Sequence, residues 1–217
     1  MAVKIAPPKL PNSLIPCHEL ELSEELDIAQ RSLSNMTLTF DNDIEYLAID
    51  TTTWERVTMS NQHIRTLECK DSLFVSCDFS NTEWLESSFH RVVFKHCKFT
   101  GTNFAESHIE NCEFINCTLA YSSFNFTKFK RVLFQDSQLI DAEFCDVTWQ
   151  HLLFDACLMD RSSWLNTPLK GLNWMTCSFE TLLFSPDLMS GLTVNTEQAI
   201  TLALSLGLLI DEPLISS

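Results

Sequence analysis

Written in rows of five, the chain from residue 69 to 184 places a large apolar side chain in one column almost without interruption. The column reads Phe74, Phe79, Trp84, Phe89, Phe94, Phe99, Phe104, Ile109, Phe114, Leu119, Phe124, Phe129, Phe134, Leu139, Phe144, Trp149, Phe154, Met159, Trp164, Leu169, Trp174, Phe179 and Phe184. Of these 23 positions 18 are Phe or Trp, and they take 14 of the chain's 16 phenylalanines, so chance is excluded. Two residues earlier lies a column of slim side chains, from Ser72, Cys77, Thr82, Ser87 and Val92 through to Cys177; only Leu152, Leu172 and Leu182 break it.

A period of five fits neither common element. Each step of five turns a helix by about 140°, which scatters the aromatics around it. On a continuous strand an odd step sends successive aromatics to opposite faces. The chain must therefore reset its direction every five residues. A short extended side points the slim residue and the aromatic inward, and the last two residues turn a corner. Sides stacked this way predict an all-β solenoid with parallel ladders between coils. The slim column is required because a second bulky inward residue would overfill the interior. Six of the nine cysteines lie in it (Cys77, Cys97, Cys112, Cys117, Cys157, Cys177) and are read as core filler.

The repeat resembles that of the pentapeptide-repeat family. That resemblance, and not the period, implies a right-handed, four-sided β-helix with 20 residues per coil. It covers residues 44–191, with no insertion between 69 and 184; upstream the register runs more weakly through Cys69, Ile64, Met59, Trp54 and Ile49. Residues 1–43, with Pro7, Pro8, Pro11 and Pro16, are expected to form an N-terminal arm or cap, within which 19–34 reads equally as a short acidic helix or an irregular first coil. Residues 192–217 are expected to form a C-terminal dimerisation helix and tail. Asn195 and Thr196 are N-cap types, followed by an apolar run. That run is apolar nearly all round, so one face caps the solenoid and another wants a partner. Ile200, Leu202, Ala203, Leu206, Leu209 and Ile210 are the expected homodimer contacts.

Charge separates the faces. The chain of 217 residues carries a formal net charge of −15, which excludes binding to nucleic acid or an anionic membrane through a basic surface. Sorted at 20 residues per coil, the side centred on Trp84, Phe104, Phe124, Phe144, Trp164 and Phe184 carries Glu83, Glu86, Glu106, Glu143 and Asp146 and no Lys or Arg. The next side holds Arg91, Lys128, Lys130, Arg131 and Lys170 against Glu110 and Asp187. A rod of seven or eight coils is roughly 35–40 Å long at about 4.8 Å per coil. Duplex DNA presents charge at a comparable density. The acidic side is therefore the candidate partner-binding surface.

Within the family, Cys77-Asp78-Phe79-Ser80-Asn81-Thr82-Glu83-Trp84, Ser88-Phe89-His90-Arg91-Val92 and Trp164-Leu165-Asn166-Thr167 resemble quinolone-resistance proteins. So do Leu169-Lys170-Gly171-Leu172, and Ser190-Gly191-Leu192 with Glu197-Gln198-Ala199-Ile200. The resemblance implies a cytoplasmic homodimer that imitates duplex DNA, binds DNA gyrase, with topoisomerase IV as a second target, and protects it from fluoroquinolones. The unbroken register resembles the loop-free type associated with Gram-positive bacteria, so protection would act through the rod surface or be weaker. A generic interaction scaffold, or an immunity protein against another topoisomerase-directed toxin, is the alternative. No secretion signal, catalytic constellation, metal-ligand spacing or nucleotide loop is found, so no enzyme activity, cofactor or metal is expected. The odd cysteine count favours free thiols in a reducing compartment.

Overall fold

The computed structural model describes residues 4–17, 19–20, 25–40 and 43–211. They form a parallel β-solenoid of about eight turns closed by one C-terminal helix. Strands β1 (Ile15–Cys17), β2 (Glu25–Ala29), β3 (Arg31–Thr37), β4 (Tyr46–Asp50) and β5 (Thr53–Thr58) build the first coils. The main ladder is β6 (Leu67–Val75), β7 (Ser88–Lys95), β8 (His108–Ile115), β9 (Lys128–Gln135) and β10 (Thr148–Asp155). Each pairs in parallel with the next at an offset of 20 residues, as in Phe94↔Phe114 and Phe114↔Phe134, which gives four five-residue sides per coil. Another side shows as single bridges, such as Asn103↔Ser123, and closes with β11 (Ser162–Trp164) on β12 (Leu182–Phe184).

The corner is a backbone conformation. From Asp71 to Gly171 every fifth residue has a positive φ, between 47° and 96°, and all but Gly101 and Gly171 carry a side chain. Left-handed residues cost roughly 1–2 kcal/mol each unless they are Gly, Asn or Asp. The parallel ladder on either side of each corner offsets that cost. At Gly101 an added Cβ would also lie 2.5 Å from the Asn81 side-chain oxygen.

The aromatics stack in columns. Phe104, Phe124 and Phe144 lie parallel at 4.8 and 4.9 Å, and Phe94, Phe114 and Phe134 at 5.0 and 4.8 Å; the two columns meet edge to face. Nearly the whole expected core is buried. Trp149 and Phe184 are the exceptions and are only half-buried. The Trp149 indole turns to donate to the Pro168 carbonyl at 2.8 Å, and Phe184 belongs to the last short strand of its side.

The slim column does more than fill space. Thr102, Thr127 and Thr167 donate their hydroxyls to the carbonyls of Phe79, Phe104 and Phe144, each 23 residues back, at 2.6–2.9 Å. The Cys77, Cys97, Cys117 and Cys157 thiols make the same contact, more weakly, at 3.3–3.6 Å. The column thus tethers each coil to the one below it.

The ladder starts at Ile15, before residue 44, and Glu25–Ala29 and Arg31–Thr37 are strands, the first coil rather than the helix of the two readings. The first full coil pairs with the second at an offset of 21: Leu26↔Leu47, Ile28↔Ile49, Leu33↔Trp54. From Ile44↔Ile64 onward the offset is 20. One extra residue between Leu38 and Ile44 therefore moves the upstream column to Ile28, Leu33 and Leu38, out of the register read from downstream.

Before β1 the chain runs along the rod. Lys9 N–H donates to Asp71 at 2.9 Å and Ala6 N–H to Asn111 at 3.3 Å. Three extended residues span about 10 Å, which matches two coils. The arm lies across a corner column where Asp71 and Asn111 are buried, whereas Asn81, Glu86 and Asn116 on the other corners stay exposed. Under it Arg91 grips Asp71 with two hydrogen bonds at 2.6 and 2.5 Å.

Candidate docking face

The lysine- and arginine-free side presents two outward columns. The first runs Glu83, Asn103, Ser123, Glu143, Ser163 and Leu183, joined by parallel bridges. The second is the corner column Glu86, Glu106, Phe126, Asp146 and Asn166, all with positive φ. Its spacing is set by ladder bonds, Glu106 N–H to Asn125 O at 2.8 Å and Phe126 N–H to Cys145 O at 2.9 Å. Glu86 and Glu106 are thus one coil apart, about 4.8 Å, and Glu83 and Glu143 three coils apart, about 14 Å. The five candidate carboxylates share one side of the rod as a spaced array, not a cluster.

Their surroundings differ. Glu83 pairs with His63 Nδ1 at 3.1 Å, and that hydrogen bond holds the His63 imidazole above its usual pKa. Glu143 accepts from Asn125 Nδ2 at 2.6 Å and from Ser123 Oγ at 3.3 Å. Asp146 accepts from Asn166 Nδ2 at 3.2 Å. Among the described residues none of the five pairs with Lys or Arg. On the neighbouring side three of the five bases are paired: Lys130 and Arg131 both reach Glu110, and Arg91 holds Asp71. The acidic field of the rod is therefore concentrated on the first side, while the second carries the bases.

Two exposed aromatics, one on this side and one on the corner leading into it, escape the sequence pattern. Tyr121 and Phe126 occupy the corners before and after Ser122-Ser123-Phe124-Asn125 and are 65% and 57% exposed. Their signal was present, since Phe126 is one of only two phenylalanines outside the five-residue register.

The C-terminal end is a plug. Helix α1 (Thr196–Ser205) is capped by Asn195, whose side chain accepts from Gln198 N–H while Gln198 returns a bond to the Asn195 N–H. Gln198 Nε2 also donates to the Trp174 and Cys177 carbonyls at 2.8 and 2.7 Å, covering the open edge of the last coil. Leu202, expected among the dimer contacts, is only 5% exposed and packs into the solenoid core. The reason is helical spacing, because Gln198 and Leu202 are four apart and share the inward face. Ile200, Leu206, Leu209 and Ile210 are exposed as expected, Ala203 is half-buried, and Leu204 and Leu208 join the exposed set.

Eight of the nine cysteines are buried, and Cys145 is half-buried. Burial pushes the Cys112 thiol up to about 12 and the Cys69 thiol well above its ordinary value. Such thiols are poor nucleophiles. Among the described residues no group of three or more His, Cys, Asp or Glu is placed to hold a metal ion. Among the described residues no helix is long and apolar enough to cross a membrane.

The molecule is thus a parallel β-solenoid of five-residue repeats presenting side-chain arrays along a rod. Residues 87–164 match the pentapeptide repeat region family, and the solenoid matches the pentapeptide-repeat β-helix fold. Among solved structures it is similar to HetL, a pentapeptide repeat protein involved in heterocyst differentiation regulation from the cyanobacterium Nostoc. The identity is 14% and the TM-score 0.42, over 78% of this chain and 69% of that one. It is also similar to full-length QnrB1, a plasmid-mediated fluoroquinolone resistance protein, at 15% identity and TM-score 0.33, over 84% of this chain and 90% of that one. No curated protein matches the sequence.

Proposed function

We propose that this protein is a DNA-mimicking rod that binds DNA gyrase, with topoisomerase IV as a second target, and protects it from fluoroquinolones in the cytoplasm. The observation that carries the reading is the side without Lys or Arg, where Glu83, Glu86, Glu106, Glu143 and Asp146 recur on the coil spacing. A row of fixed carboxylates suits a groove built for phosphates, and charge complementarity of this kind speeds association. Two rods would join end to end through Ile200, Leu204, Leu206, Leu208, Leu209 and Ile210, apolar side chains that α1 and its tail leave exposed. Leu202 holds the helix to its own rod.

The test is a supercoiling assay with purified gyrase, relaxed plasmid and a fluoroquinolone. Rescue of supercoiling at low protein, with inhibition at high protein, is expected. Inhibition without rescue would replace protection by simple gyrase inhibition, and no effect at micromolar protein would remove gyrase as the partner. Leu204→Lys with Leu209→Lys should give monomers by light scattering with the fold retained. A persisting dimer would place the interface elsewhere.

A further inference from the structure

Most large side chains in this molecule are explained by the fold, but Phe126 and Tyr121 are not. Neither fills the core, since both are more than half exposed. Neither suits its backbone, since φ is 60° at Phe126 and 59° at Tyr121, where bulky residues are disfavoured. The other members of the same two corner columns are not aromatic: Asn81, Gly101, Asp141 and Arg161 in line with Tyr121, and Glu86, Glu106, Asp146 and Asn166 in line with Phe126. Exposed aromatics are the residues that anchor protein interfaces.

Phe126 has carboxylates on both sides along its column. Glu106 lies one coil below and Asp146 one coil above, about 4.8 Å each way. Glu106 has no cationic partner among the described residues, and Asp146 only the Asn166 amide at 3.2 Å. An aromatic face between two anionic groups matches one ligand chemistry, a planar cation that lies on the ring while its N–H groups reach the flanking carboxylates. A guanidinium has that shape and an ammonium does not.

We infer that Phe126, framed by Glu106 and Asp146, is the anchor that receives an arginine side chain from a basic protein partner, with Tyr121 as a second aromatic contact across the same side. This names a contact within the acidic face of the proposed function, and it rests on that face rather than on the identity of the partner.

Phe126→Asn supplies the test, because Asn suits the left-handed corner and the variant should melt at or above the wild-type temperature. Binding of gyrase, and of nona-arginine and nona-lysine peptides, is measured by titration calorimetry at one ionic strength. The wild type should prefer nona-arginine, and Phe126→Asn should lose that preference and bind both gyrase and nona-arginine about five- to thirtyfold more weakly. Phe126→Leu, which keeps apolar bulk without the ring face, should lose nearly as much. If gyrase binds the wild type and Phe126→Asn within twofold, the anchor is overturned while the proposed function stands. If gyrase does not bind the wild type, that function falls, and the peptides alone decide the anchor. Equal binding of the two peptides, full retention by Phe126→Leu, or a clear drop in melting temperature for Phe126→Asn would each overturn it.

Discussion

Phe124→Ala is the sharpest test of how the rod is held together. The ring is completely buried. It stacks on Phe104 and Phe144 at 4.8 and 4.9 Å and meets Phe114, Phe129 and Phe134 at 6.3, 5.7 and 5.7 Å. Truncating a buried Phe costs about 3–5 kcal/mol, and the figure depends on how far the surroundings collapse. Here collapse is resisted, because the neighbouring rings hang from ladders that fix the distance between coils. The loss of two stacked partners acts in the same direction. The expected cost is therefore at the upper end, about 4–5 kcal/mol. With a guanidinium m-value of about 5 kcal/mol per molar, the unfolding midpoint should fall by about 0.9 M. The assay is guanidinium unfolding followed by circular dichroism and tryptophan fluorescence at one protein concentration, since association shifts the midpoint. Each coil touches only its neighbours, so the defect should also broaden the transition as the two halves of the rod uncouple. Ser123→Ala, on the outer surface of the same side, should cost under about 0.5 kcal/mol. A midpoint shift below about 0.2 M for Phe124→Ala would refute a close-packed aromatic column as the source of stability.

The remaining predictions concern the slim column and the strapped corner. Native protein should react with a thiol reagent at Cys145 alone on a time scale of minutes, with the other eight cysteines reacting only after unfolding; fast modification of Cys97 or Cys117 would contradict their burial. Thr102→Val should cost about 1–2 kcal/mol in the same guanidinium assay, because it removes the buried 2.7 Å bond to the Phe79 carbonyl without changing volume. Burial pushes the Asp71 carboxyl up, but the Arg91 hydrogen bonds and the Lys9 amide outweigh this and hold it below the ordinary carboxylate range. A lowered pKa contributes stability that is present at neutral pH and lost as pH falls through the folded-state value. Arg91→Met should therefore cost about 3 kcal/mol at pH 7 and progressively less as the solution is acidified and Asp71 takes up a proton; a cost that stays constant with pH would show that the pair contributes nothing through charge.

The five-residue column made the solenoid legible because its inward positions tolerate almost nothing but large apolar side chains, and the column from Phe74 to Leu169 is buried save for Trp149. Legibility failed where the constraint was looser or the count slipped. The first coil obeys the same physics, with Ile28, Leu33 and Leu38 inward, but one extra residue before Ile44 puts them out of step with a register extended from downstream. Leu202 was misassigned because composition alone makes every leucine of α1 equivalent, whereas Gln198, which bonds the last-coil carbonyls, fixes the helix rotation and turns Leu202 inward. The prolines marked the arm, but not where it lies. Its contacts are backbone N–H groups on Asp71 and Asn111, distant in sequence and without periodicity. For the candidate docking face, the 20-residue coil located the carboxylates; Phe126 stood outside the register, but nothing in the pattern marked it as a contact, because a corner in the left-handed region accepts many residue types at modest cost. That same permissiveness makes the corners informative once the fold is known. A core position reports what the solenoid needs, whereas a corner can differ at little expense to the fold, so a corner side chain is free to serve a contact outside it.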